Sequence, residues 1–171
     1  MTATIEPEAG SSDAKNPDGF WKQTFTTLVE QYPEPVFVID DDGKITSWND
    51  HIADLLGYTA EEVIGKNAYE VFGTEGEDET LAETVLREGE PIRETDIRTA
   101  TNADGDPFHS RALAVPIRDG QDNVVAVVEV ISSVTGLIET QRKMEEIQQD
   151  VSENVETKVT ELRDLSERTE E

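Results

Sequence analysis

The sequence contains no cysteine, which excludes disulfides, thiolate metal sites and thiol nucleophiles together. It contains no apolar run near the roughly 18 residues that a membrane span needs. The opening stretch, MTATIEPEAGSSDAKNPDG, has neither the basic start nor the apolar core of a secretory signal. A cytoplasmic location without membrane insertion is the expectation. Basic residues are scarce, 14 Lys and Arg against 39 Asp and Glu, for a formal net charge of −25. Nucleic acid and anionic membrane surfaces both need a basic footprint, so neither is an expected partner. Only two histidines are present, and His51 and His109 lie far apart in sequence without neighbouring ligands, so no metal site is expected.

The acid excess has two physical readings. One is a disordered acidic chain; the other is a folded protein adapted to molar salt, where screening is nearly complete within a few ångströms. The acids are spread through segments with good apolar patterning, which favours the second. A length of 171 residues and a 35% hydrophobic content fit one packed domain with solvated flanks.

Residues 1–19 carry Pro, Gly, Ser and Asp without periodicity and read as a disordered leader. From Phe20, the positions of Trp21, Phe25, Leu28 and Tyr32 form one stripe of an amphipathic helix, which Pro33 and Pro35 end. Val36 to Ile39 reads as a strand, Asp42-Gly43 as a hairpin turn and Ile45 to Trp48 as the returning strand. Asn49 and Asp50 cap a short helix closed by Gly57. Thr59 and Glu62 form the capping box of another; a short turn covers Ala68 to Phe72, and a longer helix runs from about Asp78 to Glu88. Three strands follow, Ile92 to Thr99, Phe108 to Ile117 and Val124 to Ser132, joined by turns at Asn102-Ala103-Asp104-Gly105 and Asp119-Gly120. The order predicts an α+β domain over residues 20–135, with a five-stranded antiparallel sheet and short helices on one face.

Residues 136–171 contain no Pro and, past Gly136, no Gly. Leu137, Met144, Val151, Lys158 and Leu165 recur every seven residues, with Gln141, Gln148, Val155, Leu162 and Thr169 four later. This is a heptad pattern with polar seam residues, and it predicts a weak, adjustable coiled coil in a parallel homodimer. A solvated single helix is the other reading.

The stretch PVFVIDDDGKITSWNDHIADLLGYTAEEVIGKN resembles PAS domains, with strand, Asp-Gly turn, strand ending in Asn49, and the two Gly-terminated helices in that family's order. The resemblance covers about Pro33 to Thr135 and implies a PAS fold serving signal transduction. Family members often end in Asp-Ile-Thr before an output helix; here Ser133, Val134 and Thr135 stand at that place. The flavin-binding LOV subset carries a reactive Cys and a Gln in a segment that corresponds here to Gly65 through Phe72. Their positions hold Ala68 and Phe72, so a cysteinyl-flavin adduct cannot form. The resemblance places a haem-ligating His on the helix over Asp78 to Glu88, which has none, so no haem is expected.

Alternation along Phe108 to Ile117, read with the resemblance, turns Ser110, Ala112, Ala114 and Pro116 inward and Leu113, Val115 and Ile117 outward. Small inward residues leave room for a ligand cavity, unless Phe37, Tyr69 and Phe72 fill it as core. Glu129 is the single charge in Val124 to Ile131, and parity sets it inward with Val127 and Ile131. A buried carboxylate needs a partner or a raised pKa, so Glu129 is either a ligand contact or locally paired with Arg98 or Arg111. The pocket candidates are Phe37, Ile39, Asn67, Ala68, Val71, Phe72, Ser110, Ala112, Ala114, Val127, Glu129 and Ile131.

The expected function is a cytosolic, transducer-like PAS sensory module of haloarchaeal type. It would respond to a small ligand, a redox state or a partner and relay the change through a dimeric helix to a downstream signalling protein or output domain. A ligand-free dimerisation scaffold and the sensor fragment of a histidine kinase are the alternatives. With no phospho-acceptor His on the last helix and no Gly-rich nucleotide loop, no enzymatic activity is expected.

Overall fold

Runs of β-branched residues with period-two polarity form the sheet. In the computed structural model, which describes residues 17–73 and 76–169, the strands are β1 (Val36–Asp40), β2 (Ile45–Trp48), β3 (Ile92–Arg93), β4 (Arg98–Thr101), β5 (Pro107–Arg118) and β6 (Val124–Ser133). Their order is β2-β1-β6-β5-β3, with β4 also paired to β5. The pairs β1–β2, β1–β6, β3–β5 and β4–β5 are antiparallel. Carboxylate and amide side chains close the hairpins. Asp40 Oδ1 accepts from Asp42 N and Lys44 N, at 3.0 and 2.9 Å, while Gly43 at φ +77° supplies the left-handed step a β-carbon would disfavour. Asp119 Oδ1 does the same for Gln121 N and Asn123 N.

One expected strand is two. Ile92 to Thr99 breaks after Arg93 because Glu94 pairs with β5 through its side chain as well as its backbone. Its N–H donates to Ala112 O and its Oε2 accepts from Ala112 N, both at 2.9 Å. Glu94 also holds an ion pair with Arg98, which spans the break.

The helices are α1 (Pro17–Gln31), α2 (Asp50–Leu56), α3 (Ala60–Val63), α4 (Ala68–Phe72), α5 (Leu81–Glu88) and α6 (Thr135–Thr169). The first begins at Pro17 rather than Phe20, which suits proline's fixed φ and missing N–H in a first turn. Residues 1–16, where most of the expected leader falls, lie outside the described residues. The helix before Gly89 starts at Leu81 rather than Asp78, because Thr80 is its cap. Thr80 N donates to Glu83 Oε2 at 2.8 Å and Glu83 N to Thr80 Oγ1 at 3.3 Å, the reciprocal arrangement of a capping box. Gly89 ends it at φ +76°.

Helices α2 to α5 cover the inner face of the sheet. Ile52, Leu56, Val63, Ala68, Ala82 and Val85 pack with Phe37, Ile39, Ile45, Ala112, Ala114 and Val127 in one core. On the opposite face Val29 of α1 packs on Val36 and Val38, with Ala126, Val128 and Val130 around them. Buried Asn49 ties the layers: its Oδ1 accepts from Val36 N and Ile52 N, and its Nδ2 donates to Tyr32 O and Glu34 O. The aromatic stripe read along α1 stays outside. Trp21 is 56% exposed, and Phe25, Leu28 and Tyr32 are exposed with it. On the sheet's outer face, Val115 and Ile117 are exposed too.

The chain divides into two units after Ser132. The second is the 35-residue helix α6, whose apolar residues Leu137, Met144, Ile147, Val151, Val155, Val159, Leu162 and Leu165 are all exposed. Among the described residues no helix is long and apolar enough to cross a membrane.

Candidate functional site

The inner face of the sheet is not filled along its whole length. At one end, aromatic rings occupy it: Phe37 meets Phe72 edge-on with centroids 5.1 Å apart, and Trp48 lies 5.8 Å from Phe37 and 5.9 Å from Phe72. Beside that cluster the inward side chains of β5 shrink to Ser110 and Ala112, and a cavity of about 120 Å³ opens. Its walls come from several elements. Strand β5 gives Phe108, Ser110 and Ala112, strand β6 gives Glu129 and Ile131, and strand β4 gives Arg98 and Ala100. Helices α2 and α4 give Leu56 and Phe72, and the entry to α5 gives Glu77, Glu79, Thr80 and Leu81.

Glu129 is the decisive side chain. It is only 5% exposed, opposite Phe37 in the β1–β6 register. Its Oε2 accepts from the N–H of Ala82 at 2.9 Å, a donor in the first turn of α5 that has no partner within its own helix. Burial pushes the carboxyl up to about 8, against the lowering effect of that N–H; Glu94 and Glu83 push it further up, and Arg98 pulls it back. At neutral pH it is mostly protonated. Its Oε1 has no hydrogen bond among the described residues, and neither does Ser110 Oγ. Because no fully buried side-chain N or O there lacks a partner, both oxygens reach the cavity that their residues line.

Neither arginine weighed as a partner pairs with Glu129. Arg98 is committed to Glu94, and Arg111 is exposed on the outward face of β5. The partner is a backbone amide. At the mouth, Arg87 holds Glu79 at 2.6 Å, which draws that carboxyl below its ordinary value, with help from Thr84.

The inward parity of Ser110, Ala112 and Ala114 is observed, as is the outward set of Leu113, Val115 and Ile117. The pocket candidates divide. Phe72, Ser110, Ala112, Glu129 and Ile131 line the cavity. Phe37, Ile39, Ala68, Ala114 and Val127 are completely buried in the core, and half-buried Val71 packs against it. Asn67 is structural: its Oδ1 caps α4 through Glu70 N, and its Nδ2 donates to Glu83 Oε1 at 2.8 Å. Sequence reasoning missed the other lining residues, among them Leu56, Glu79, Thr80, Leu81, Glu94 and Phe108. A signal existed only for Glu94, a lone inward acid four residues before Arg98. His109 lies beside Thr99, with Nδ1 and Oγ1 3.0 Å apart. No cluster of potential metal ligands occurs among the described residues.

Comparisons with known proteins agree with this architecture. A family model described as PAS fold matches residues 23–134. Phytochrome B-2 of Glycine max is 30% identical over 116 residues, covering 64% of this chain and 10% of its own length. Biofilm dispersion protein BdlA of Pseudomonas aeruginosa is 29% identical over 109 residues, covering 62% of this chain and 26% of its own. The chain therefore spans from a tenth to about a quarter of these relatives. Among solved structures, the PAS domain of Bordetella pertussis BvgS superposes with a TM-score of 0.55 at 23% identity, covering 75% of this chain and 98% of that one. The LOV domain of the Erythrobacter litoralis EL346 blue-light activated histidine kinase gives 0.51 at 22%, covering 61% and 99%. At those identities the likeness is one of fold.

Proposed function

This chain belongs to the PAS fold family, and from that premise we propose that it is a non-enzymatic, cytoplasmic sensory module whose cavity takes a small ligand. The observation that carries the reading is the free Oε1 of Glu129 in a cavity beside an otherwise packed core. That oxygen faces the cavity, and a ligand carrying a donor would complete its bonding. The same strand carries the output. Ile131 and Glu129 lie on β6, which runs to Ser133, and α6 starts at Thr135. A shift of β6 on ligand binding is transmitted covalently to the start of a long helix. If α6 pairs with a second copy through its apolar stripe, the change becomes one of helix pairing. A transducer-like role in a salt-loving archaeon is drawn from the acidic composition and the PAS resemblance together.

Native mass spectrometry of the purified chain tests the ligand. The expected spectrum shows an added small-molecule mass that survives gentle transfer and is lost from Glu129→Gln. A spectrum of bare chain only would favour a scaffold. That second reading draws on the exposed apolar residues of α1 and of the outer sheet face, among them Trp21, Leu28, Val115 and Ile117, as surface for a partner without any ligand.

A further inference from the structure

The cavity has a polar end and an apolar end, and their chemistry narrows what it can hold. At the polar end Glu129 Oε1 and Ser110 Oγ open into the cavity with no hydrogen-bond partner among the described residues. Carboxylates dominate the remaining charge: Glu77 and Glu79 at the entry to α5 and Glu94 after β3. The single lining cation, Arg98 of β4, is held by Glu94. An anion entering here would face acids on several sides with no uncommitted base. A divalent metal would need converging ligands, and no such cluster exists among the described residues. At the other end Leu56, Phe72, Phe108 and Ile131 present apolar surface.

We propose that the cavity binds a small primary ammonium ion with a short apolar tail, the head held by Glu129 Oε1 and Ser110 Oγ and the tail against Phe72, Phe108 and Ile131. This rests on the reading of the cavity as a sensory pocket and assigns its ligand class. Once Glu129 gives up its proton, the head group donates to Glu129 Oε1 and Ser110 Oγ, and its positive charge offsets the carboxylate so formed. Glu129 meets Glu83 from α5, Glu94 and Arg98 from the β3–β4 segment, and the Ala82 N–H. With its carboxyl pushed up to about 8, binding an ammonium ion at neutral pH ionises Glu129 and releases close to one proton to solvent. The charged carboxylate then accepts from Ala82 N as a stronger, charge-assisted hydrogen bond, at the first turn of α5 where the helix dipole favours a negative charge. Occupancy is thereby written into α5 and β6 together.

The experiment is an NMR titration of the full chain in potassium chloride of matched ionic strength, reading the Ala82 amide. The probes are butylammonium, butan-1-ol and butanoate, three head groups on one carbon skeleton. The expected result is a saturable Ala82 shift with butylammonium only. Its affinity should rise about tenfold between pH 6 and pH 7, one proton being exchanged. Glu129→Gln, which keeps the shape and an acceptor for Ala82, should weaken binding at least tenfold and remove the pH dependence; Ser110→Ala should weaken it severalfold. An equal shift in Glu129→Gln overturns the proposal as surface attraction. Preference for butan-1-ol or butanoate overturns the ammonium chemistry and leaves the pocket reading standing. No saturable shift with any probe overturns the proposal, and a bare mass in the native spectrum would then remove the pocket reading too.

Discussion

Glu129 stores its cost as a proton. Its ordinary pKa of 4.5 rises to about 8 in the fold, through burial first and then through Glu94 and Glu83. Between those two values the folded chain binds a proton that the unfolded chain has lost, so stability falls as pH rises through this window. Below about 4.5 both states are protonated and the penalty is absent; above about 8 it is fully present. The limiting slope is about 1.4 kcal/mol per pH unit. Urea denaturation of the wild type from pH 5 to pH 8 should show this decline, and Glu129→Gln should flatten it and be the more stable protein at pH 8. Parallel curves for the two proteins would mean that the carboxyl is not held neutral. Much about this residue was legible in sequence, since one charge in an apolar run of period two must either face solvent or sit in the core. Its partner was not. Ala82 lies 47 residues away and uses a backbone N–H, which leaves no mark on side-chain pattern. Asn67 was misjudged for the converse reason: its amide serves a cap and Glu83, and a polar residue near a pocket looks alike in sequence whichever role it has.

Elements were more legible than sites wherever local chemistry fixes them. The Asp42-Gly43 turn, the Thr59–Glu62 box and the Gly57 and Gly89 helix ends each satisfy backbone groups within a few residues. The missed break between β3 and β4 depends on Glu94 reaching Ala112 across the sheet, a contact 18 residues away. Along α6, Gln141, Gln148 and Lys158 interrupt the two heptad rows, which is why the pattern predicts a weak seam. Ile147 and Val159 stand next to two of those polar positions and widen the apolar stripe, and they are exposed like the rest. A 35-residue helix with that stripe in water is expected to pair, because most helical stability in proteins comes from packing an apolar face. Replacing both Val155 and Leu162 by Asp should leave the sheet domain folded and give a monomer. In a parallel pair each new carboxylate faces its symmetry mate, a like-charge contact costing several kcal/mol by order of magnitude. Light scattering in molar potassium chloride decides it, with circular dichroism as the check on folding. A wild-type monomer across a wide concentration range would reduce α6 to a solvated helix.

Over the whole molecule, charge is the term that no local element balances. The 39 acids exceed the 14 bases by 25, and bases that form ion pairs, such as Lys44, Arg87 and Lys158, meet acids near the surface. Exposed pairs of this kind contribute about 0 to 1 kcal/mol each, far less than needed to offset self-repulsion among so many carboxylates. The unfolded chain relieves that repulsion by expanding, so the fold is penalised most when the charges see one another at long range. The range is set by salt: about 10 Å at 0.1 M and about 3 Å at 1 M. Raising potassium chloride from 0.1 M to 2 M should therefore raise the melting temperature by many degrees. The surface ion pairs weakened at the same time are too small to reverse the sign. Sucrose separates screening from general solute exclusion, which also favours burial: at equal osmolality it should stabilise much less than the salt. Equal stabilisation by the two would assign the effect to exclusion, and equal melting temperatures in dilute and molar chloride would show that the acidic surface imposes no repulsive load on this fold.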